Sequence, residues 1–258
     1  MSDDPRARSQ ARFGALADKY VTSSVHSMGY SLDRLVELAS PPAGGLALDI
    51  ATGGGHVALG LAKQGAAVIA ADITLNMLQA ARDHLAGQQI NADYVRLDAE
   101  HLPFPDNALD SVTCRFAAHH FPNPAAFVRE CARIVKPGGI VGVVDQIAPP
   151  MPEDARYTNA FEKLRDPSHG WEYSQPEWQG FFSGVGLKVN HSEVIAVQFD
   201  FGWWTRMQND DPDTVTRLQV MLRQAPPAIR NWYQPQFDPG GSITFTHHHL
   251  ILVGIKQA

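Results

Sequence analysis

The stretch Leu48-Asp49-Ile50-Ala51-Thr52-Gly53-Gly54-Gly55-His56 joins the end of an expected strand to the start of an expected helix. Glycines there permit a sharp turn and let backbone N–H groups approach a ligand at a helix N-terminus. Nineteen residues after Gly53, Asp72 ends the next expected strand, where an acidic group can meet ribose hydroxyls. Gly53-x-Gly55-x-x-Ala58 by itself also matches a dinucleotide fingerprint. Charge separates the two readings. A pyrophosphate would be repelled by Asp49, four residues before Gly53, whereas a sulfonium and an ammonium would be attracted. Asp98 ends a third strand and runs on as Asp98-Ala99-Glu100, offering acceptor and donor groups to adenine edges. Each aspartate alone could be a helix cap or a solvated loop acid. Three at successive strand ends suit a cationic nucleoside such as S-adenosylmethionine.

A second set of residues could move protons. His119 and His120 follow the fourth expected strand, where a parallel sheet presents side chains over its ligand crevice. Imidazole titrates near neutrality, so either could act as a general base for an acceptor that must lose a proton. His26, in YVTSSVH, is a third candidate base. Arg115 could clamp a carboxylate bidentately or form an ordinary ion pair with Asp110 or Asp98. Asp145 ends the fifth strand, and Arg165-Asp166-Pro167-Ser168-His169 follows in what reads as a roofing loop, making Asp145 and His169 substrate-side candidates. Trp203 and Trp204 lead an aromatic cluster outside the glycine-loop half, either a lid over an apolar or aromatic acceptor or the small core of an insertion. His247-His248-His249 places His247 and His249 on one strand face, but no third ligand is identifiable, so no metal is expected.

These residues need a scaffold that brings strand ends together. Strands are expected at residues 46–50, 66–72, 94–98, 109–115 and 140–145, alternating with helices at short spacing. That rhythm implies βαβ units and a parallel sheet covered on both faces. Asn123-Pro124 is a favourable helix start, and Ser174 with Glu177 forms a capping-box pattern. Residues 1–40 read as an N-terminal helical lid and 41–258 as one domain with a helical insertion at about 200–238. Residues 148–172 read as loop with some helix, and Pro226-Pro227 as the end of a helix opened by Asp211-Pro212.

Composition limits the partners. The chain has 258 residues, with 21 Lys and Arg against 27 Asp and Glu, a net charge of −6. Without a basic patch, nucleic acid is not an expected partner. There is no 18-residue apolar run and no signal-like start, so the expected setting is cytoplasmic, without membrane contact. Cys114 and Cys131 form no disulfide framework or metal knuckle.

The motifs LDIATGGGH, AADITLNMLQAAR, RLDAEHLPFPDNALDSV, AAHHFPNPAAFVREC and ARIVKPGG, in this order, resemble those of class I S-adenosylmethionine-dependent methyltransferases. YVTSSVH and LRDPSHGW extend the likeness toward a bacterial group near the ubiquinone/menaquinone-biosynthesis methyltransferases. The resemblance implies a doubly wound α/β, Rossmann-like sheet, mostly parallel with an antiparallel last strand, plus helical lid elements. It implies S-adenosylmethionine as cofactor, with Asp49, Ala51, Gly53 and Gly55 along the methionine part. Asp72, Ile73 and Met77 would lie at the ribose, Asp98 and Ala99 at adenine, and Tyr20 would close over the cofactor. Ala51 stands where the family commonly has its first glycine. The expected activity is methyl transfer to an O, N or C atom of a small, apolar or aromatic molecule. Two alternatives remain at this stage: a non-methylating protein that binds the same cofactor, and a nicotinamide-dependent oxidoreductase.

Overall fold

The computed structural model describes Arg6, Ala7, Gln10, Arg12 and residues 29–257. Tyr20 and His26 lie outside the described residues.

Five parallel strands run in the order β3-β2-β1-β4-β5: β1 is Leu46–Ile50, β2 Ala67–Asp72, β3 Asp93–Arg96, β4 Leu109–Arg115 and β5 Val135–Gln146. The long strands β6 (Leu187–Asp200) and β8 (Ile243–Lys256) extend the sheet beyond β5. Strand β8 runs antiparallel between β5 and β6, as expected for the last strand, and the short β7 (Gln236–Phe237) also pairs with it. Side chains alternate across this sheet because the strand period is two. Leu48, Ile50, Leu250 and Leu252 enter one core layer, while Ala47 and Ile251 enter the opposite one.

Helices cover both faces. Helices α1 (Tyr30–Ala39), α2 (His56–Lys63) and α3 (Leu75–Gly87) supply Leu35, Leu61 and Leu85 to one layer. Residues 30–39, expected in an N-terminal lid, are therefore part of the central sandwich. Ala39 and Leu35 sit over Gly142, where a Cβ would come within 2.8 Å of Leu35 Cδ1, so the strand needs glycine for that approach. On the other face, α4 (Pro124–Ile134) brings Phe127 and Cys131, and α6 (Gln175–Ser183) brings Trp178 and Phe182. The Asn123 side chain accepts from Ala126 N at 3.0 Å, a cap that contributes about 1 kcal/mol. The Ser174–Glu177 capping box forms as its sequence pattern requires.

Residues 148–172 hold more helix than expected: α5 spans Pro152–Arg165, with Pro152 at its first turn. Its low apolar periodicity hides it in sequence, because α5 is held by a few large contacts such as Phe161. Three further helices, α7 (Phe201–Gln208), α8 (Pro212–Arg223) and α9 (Pro227–Tyr233), build a third core around Phe161, Trp204, Leu218, Tyr233 and Phe245. Pro226-Pro227 opens α9 rather than ending α8, since proline at a first helical position loses no intrahelical bond. No helix among the described residues is long and apolar enough to cross a membrane.

Candidate active site

Two cavities lie side by side at the C-terminal ends of the parallel strands. The first, a crevice of about 140 Å³, is lined by Asp49, Ala51, Gly53, Asp72, Ile73, Met77, Asp98, Ala99 and Arg115. These nine candidates from sequence thus converge in space. Gly55 does not line it. Its φ of 79° begins α2 in a left-handed turn, and a Cβ there would meet Leu85 Cδ1 at 2.7 Å. Its role is packing the loop against α3.

The loop is built around two buried carboxylates. Asp49 accepts from Thr52 Oγ1 at 2.7 Å and from Thr113 Oγ1 at 2.9 Å. Burial still pushes its carboxyl up to about 6, against the opposing pull of those hydroxyls and of Arg115. Asp72 accepts from Gly53 N at 3.2 Å and Thr74 N at 2.9 Å, fixing the loop to the end of β2, and burial raises its carboxyl as well. Asp98 lies two residues beyond β3 and pairs with Arg6 at 2.9 Å, while Arg6 also reaches Glu100 at 2.6 Å. Arg115 pairs with neither Asp98 nor Asp110. It sits beside Asp49 with Nη2 3.3 Å from Ser31 Oγ, and burial lowers its guanidinium to about 10.

Phe116 and His120 line both cavities and form the boundary between them. Phe116 has φ 53°, an unusual conformation for a bulky residue, held by its N–H bond to Val144 O at 2.7 Å. Nothing in the sequence announced this residue, because its importance lies in its backbone and not in its chemistry.

The second cavity, about 90 Å³, is a chamber ringed by His119, His120, His169, His247 and His249 together with Gln146, Glu162, Arg165 and Asp166. Phe199, Trp203, Trp204 and Met207 give it an apolar wall. Asp145, expected on the substrate side, is only 1% exposed and lies behind His119. It accepts from His119 Nδ1 at 2.6 Å and from His119 N at 2.8 Å. The carbonyl of His119 receives Gly170 N and Trp171 N, so the loop after α5 docks directly on this histidine. His120 Nδ1 donates to Ser168 O at 3.1 Å, and His169 Nε2 donates to Asn159 Oδ1 at 2.8 Å. Burial, with help from the neighbouring imidazoles, pushes His120 well down and His169 to about 3. Both rings therefore stay neutral through the physiological range.

Trp204 is 3% exposed and stacks on Phe161 at 5.1 Å, so it is chiefly a core residue with one edge at the chamber. Trp203 stacks less tightly, on Phe199 at 5.7 Å. His247 and His249 both face the chamber, while His248 points away and packs on Trp232 at 4.0 Å. Sequence reasoning missed Glu162 and Glu172. His247 Nε2 donates to Glu162 Oε1 at 2.8 Å, and Arg165 Nη2 donates to Glu162 Oε2 at 3.0 Å. Burial opposes ionisation of Glu162, but these two partners hold it below the carboxylate range. Burial and the charge of Glu162 raise Glu172 instead.

Known proteins share this fold. Residues 48–143 match a methyltransferase domain family. Over 247 residues the chain is 31% identical to YcgJ of Bacillus subtilis (strain 168), named an uncharacterized methyltransferase, spanning 95% of this chain and 98% of that one. The solved structure of YcgJ superposes with a TM-score of 0.81, covering 88% of this chain and 98% of that chain at 31% identity. A demethylmenaquinone methyltransferase of Clavibacter sepedonicus is 36% identical over 129 residues, which span 50% of this chain and 52% of that one. The fold, the acidic crevice and these relatives replace the oxidoreductase alternative. The chain belongs to the S-adenosylmethionine-dependent methyltransferases.

Proposed function

We propose that this enzyme methylates an O, N or C atom of a small molecule with an aromatic or apolar face, using His119 as general base. The observation that carries this reading is the His119–Asp145 pair, set in a chamber that adjoins the acidic crevice at Phe116 and His120. The donor set of the crevice fits S-adenosylmethionine. Asp49 favours its positive groups, Asp72 and Asp98 offer acceptors, Met77 and Ala99 supply apolar walls, and Arg115 suits a carboxylate. When bound, the cofactor supplies an electrophilic methyl carbon attached to a cationic sulfur. The protein's task is then to orient the acceptor, exclude water and take a proton where the acceptor atom carries one.

Each residue's part follows from its bonds. With Nδ1–H committed to Asp145, His119 has Nε2 left to receive an acceptor proton. Asp145 fixes the tautomer and offsets the charge His119 gains. Trp203 and Phe199 present a stacking wall. Arg6 pairs with Asp98 at the crevice and Arg12 pairs with Asp166 at the chamber, 3.0 Å away, which supports a covering role for these two arginines. The test is incubation with a small-molecule extract and trideuteriomethyl-labelled cofactor. Wild type should transfer the label to a small molecule, and His119→Ala should bind cofactor but transfer little. Cofactor binding without any labelled product from wild type would reject the reading.

A further inference from the structure

Three groups from three separate elements meet behind the chamber: Glu162 on α5, Glu172 in the loop before α6, and His247 on β8. One ligand atom from each lies within 4.8 Å of the others, and all three residues are buried. The pair His247 and His249 lacked a third metal ligand in sequence. The fold supplies two carboxylates beside His247 and leaves His249 aside.

The hydrogen bonding of this cluster is incomplete. Glu172 Oε1, His247 Nδ1 and Tyr233 Oη are buried and make no hydrogen bond. Glu172 and Tyr233 are each 2% exposed. Buried polar atoms are nearly always paired, and leaving one without a partner costs about 1–3 kcal/mol. Glu172 and His247 each bring a buried, orphaned polar atom to this cluster, where a ligand with positive charge would complete the set.

We propose that Glu162, Glu172 and His247 bind one first-row divalent cation of the Zn²⁺ or Mn²⁺ type. Two carboxylates and one imidazole form a donor set such ions accept. Ligand atoms around a tetrahedral ion of this size sit roughly 3–3.5 Å apart, so small side-chain movements close the present spacing. Arg165 holds Glu162 through Oε2, so Oε1, which accepts from His247 Nε2, is the oxygen offered to the ion. Binding through Nε2 converts the His247–Glu162 hydrogen bond into two metal bonds and shifts the Nε2 proton to Nδ1, whereas binding through Nδ1 keeps that hydrogen bond. Because Glu162 and His247 also line the chamber, the ion would stand where an acceptor oxygen could join it as a further ligand. The site needs no assumption about the methyl acceptor.

Purified, chelator-treated protein titrated with ZnCl₂ and, separately, MnCl₂ tests this by calorimetry and thermal unfolding, without cofactor. Wild type should bind one ion per chain at micromolar or lower concentration and unfold at a higher temperature when loaded. Glu172→Gln, which keeps shape and hydrogen-bonding capacity, should fold with an unchanged midpoint in the absence of metal and lose affinity at least 100-fold. His247→Gln should do the same, whereas His191→Gln on β6 should bind like wild type. Co²⁺ in place of Zn²⁺ should give visible absorption that Glu172→Gln lacks. Absence of stoichiometric binding up to millimolar ion, or equal binding by wild type and Glu172→Gln, would overturn the site and leave a buried water as the group bridging these atoms.

Discussion

His119 is bound twice by Asp145: its ring Nδ1 lies 2.6 Å from one carboxylate oxygen and its backbone N lies 2.8 Å from the other. Gln146 N adds a third bond to Asp145 at 2.9 Å. A single buried side chain therefore fixes both the position and the tautomer of the proposed base.

Substitution at either residue should separate chemistry from binding. His119→Ala should lower kcat by about 10²–10⁴-fold, the usual contribution of a positioned general base. The dissociation constant for S-adenosylmethionine should stay within about twofold, since His119 lies outside the crevice lining. Asp145→Asn should lower kcat as well, and should also cost about 1–3 kcal/mol of stability. The cost arises because an amide NH₂ would face a backbone N–H that now finds a carboxylate. Single-turnover kinetics and thermal unfolding check these outcomes.

Cofactor affinity should depend on pH through Asp49. Its carboxyl is raised from 3.8 to about 6 in the fold by burial. The folded protein thus holds this proton more readily than the unfolded chain. The resulting stability, about 3 kcal/mol, is present below pH 4 and is lost as pH rises through 6. A cationic ligand prefers the ionised form, so binding expels the proton. Affinity for S-adenosylmethionine should be constant above about pH 7 and weaken by up to tenfold per unit below 6. Asp49→Asn should bind more weakly and show no such slope in calorimetry across pH 5–8.

The alternation of strands and helices, and the acids at strand ends, were legible because both follow from short, local patterns. β1 and β4 begin and end where the residue types change, and Asp49, Asp72 and Asp98 do meet in one crevice. What stayed hidden depended on contacts between distant segments. Glu162 and His247 are 85 residues apart and have no shared motif. Asp145 looked like a ligand-facing strand end, but the loop that turns His119 back over it places it behind. Helix α5 lacked a strong apolar stripe and therefore passed as loop.

Two positions in the glycine loop should respond in opposite directions to a one-carbon change. Ala51 adopts φ 52°, where its Cβ is strained. Ala51→Gly should stabilise the fold by about 0.5–1 kcal/mol, with relief of strain partly offset by a more flexible unfolded chain. Gly55→Ala should destabilise by about 1–3 kcal/mol, because its Cβ would fall 2.7 Å from Leu85 Cδ1 at φ 79°. Urea unfolding midpoints of the two variants should lie on opposite sides of wild type.

The two adjacent tryptophans should divide core from site. Trp204 is 3% exposed, stacks on Phe161 at 5.1 Å, and carries Arg165 over its ring at 4.2 Å. Trp204→Leu removes much of a packed aromatic pair and should cost about 2–4 kcal/mol. Trp203 is less buried, contacts Phe199 and faces the chamber, so Trp203→Leu should cost under about 1.5 kcal/mol. Its effect should appear in the acceptor's KM, raised about 5–50-fold by loss of a stacking surface, with cofactor affinity unchanged. Comparing Tm and KM across both variants decides the matter: an unchanged acceptor KM in Trp203→Leu would remove this wall from the acceptor site, since the variant remains folded.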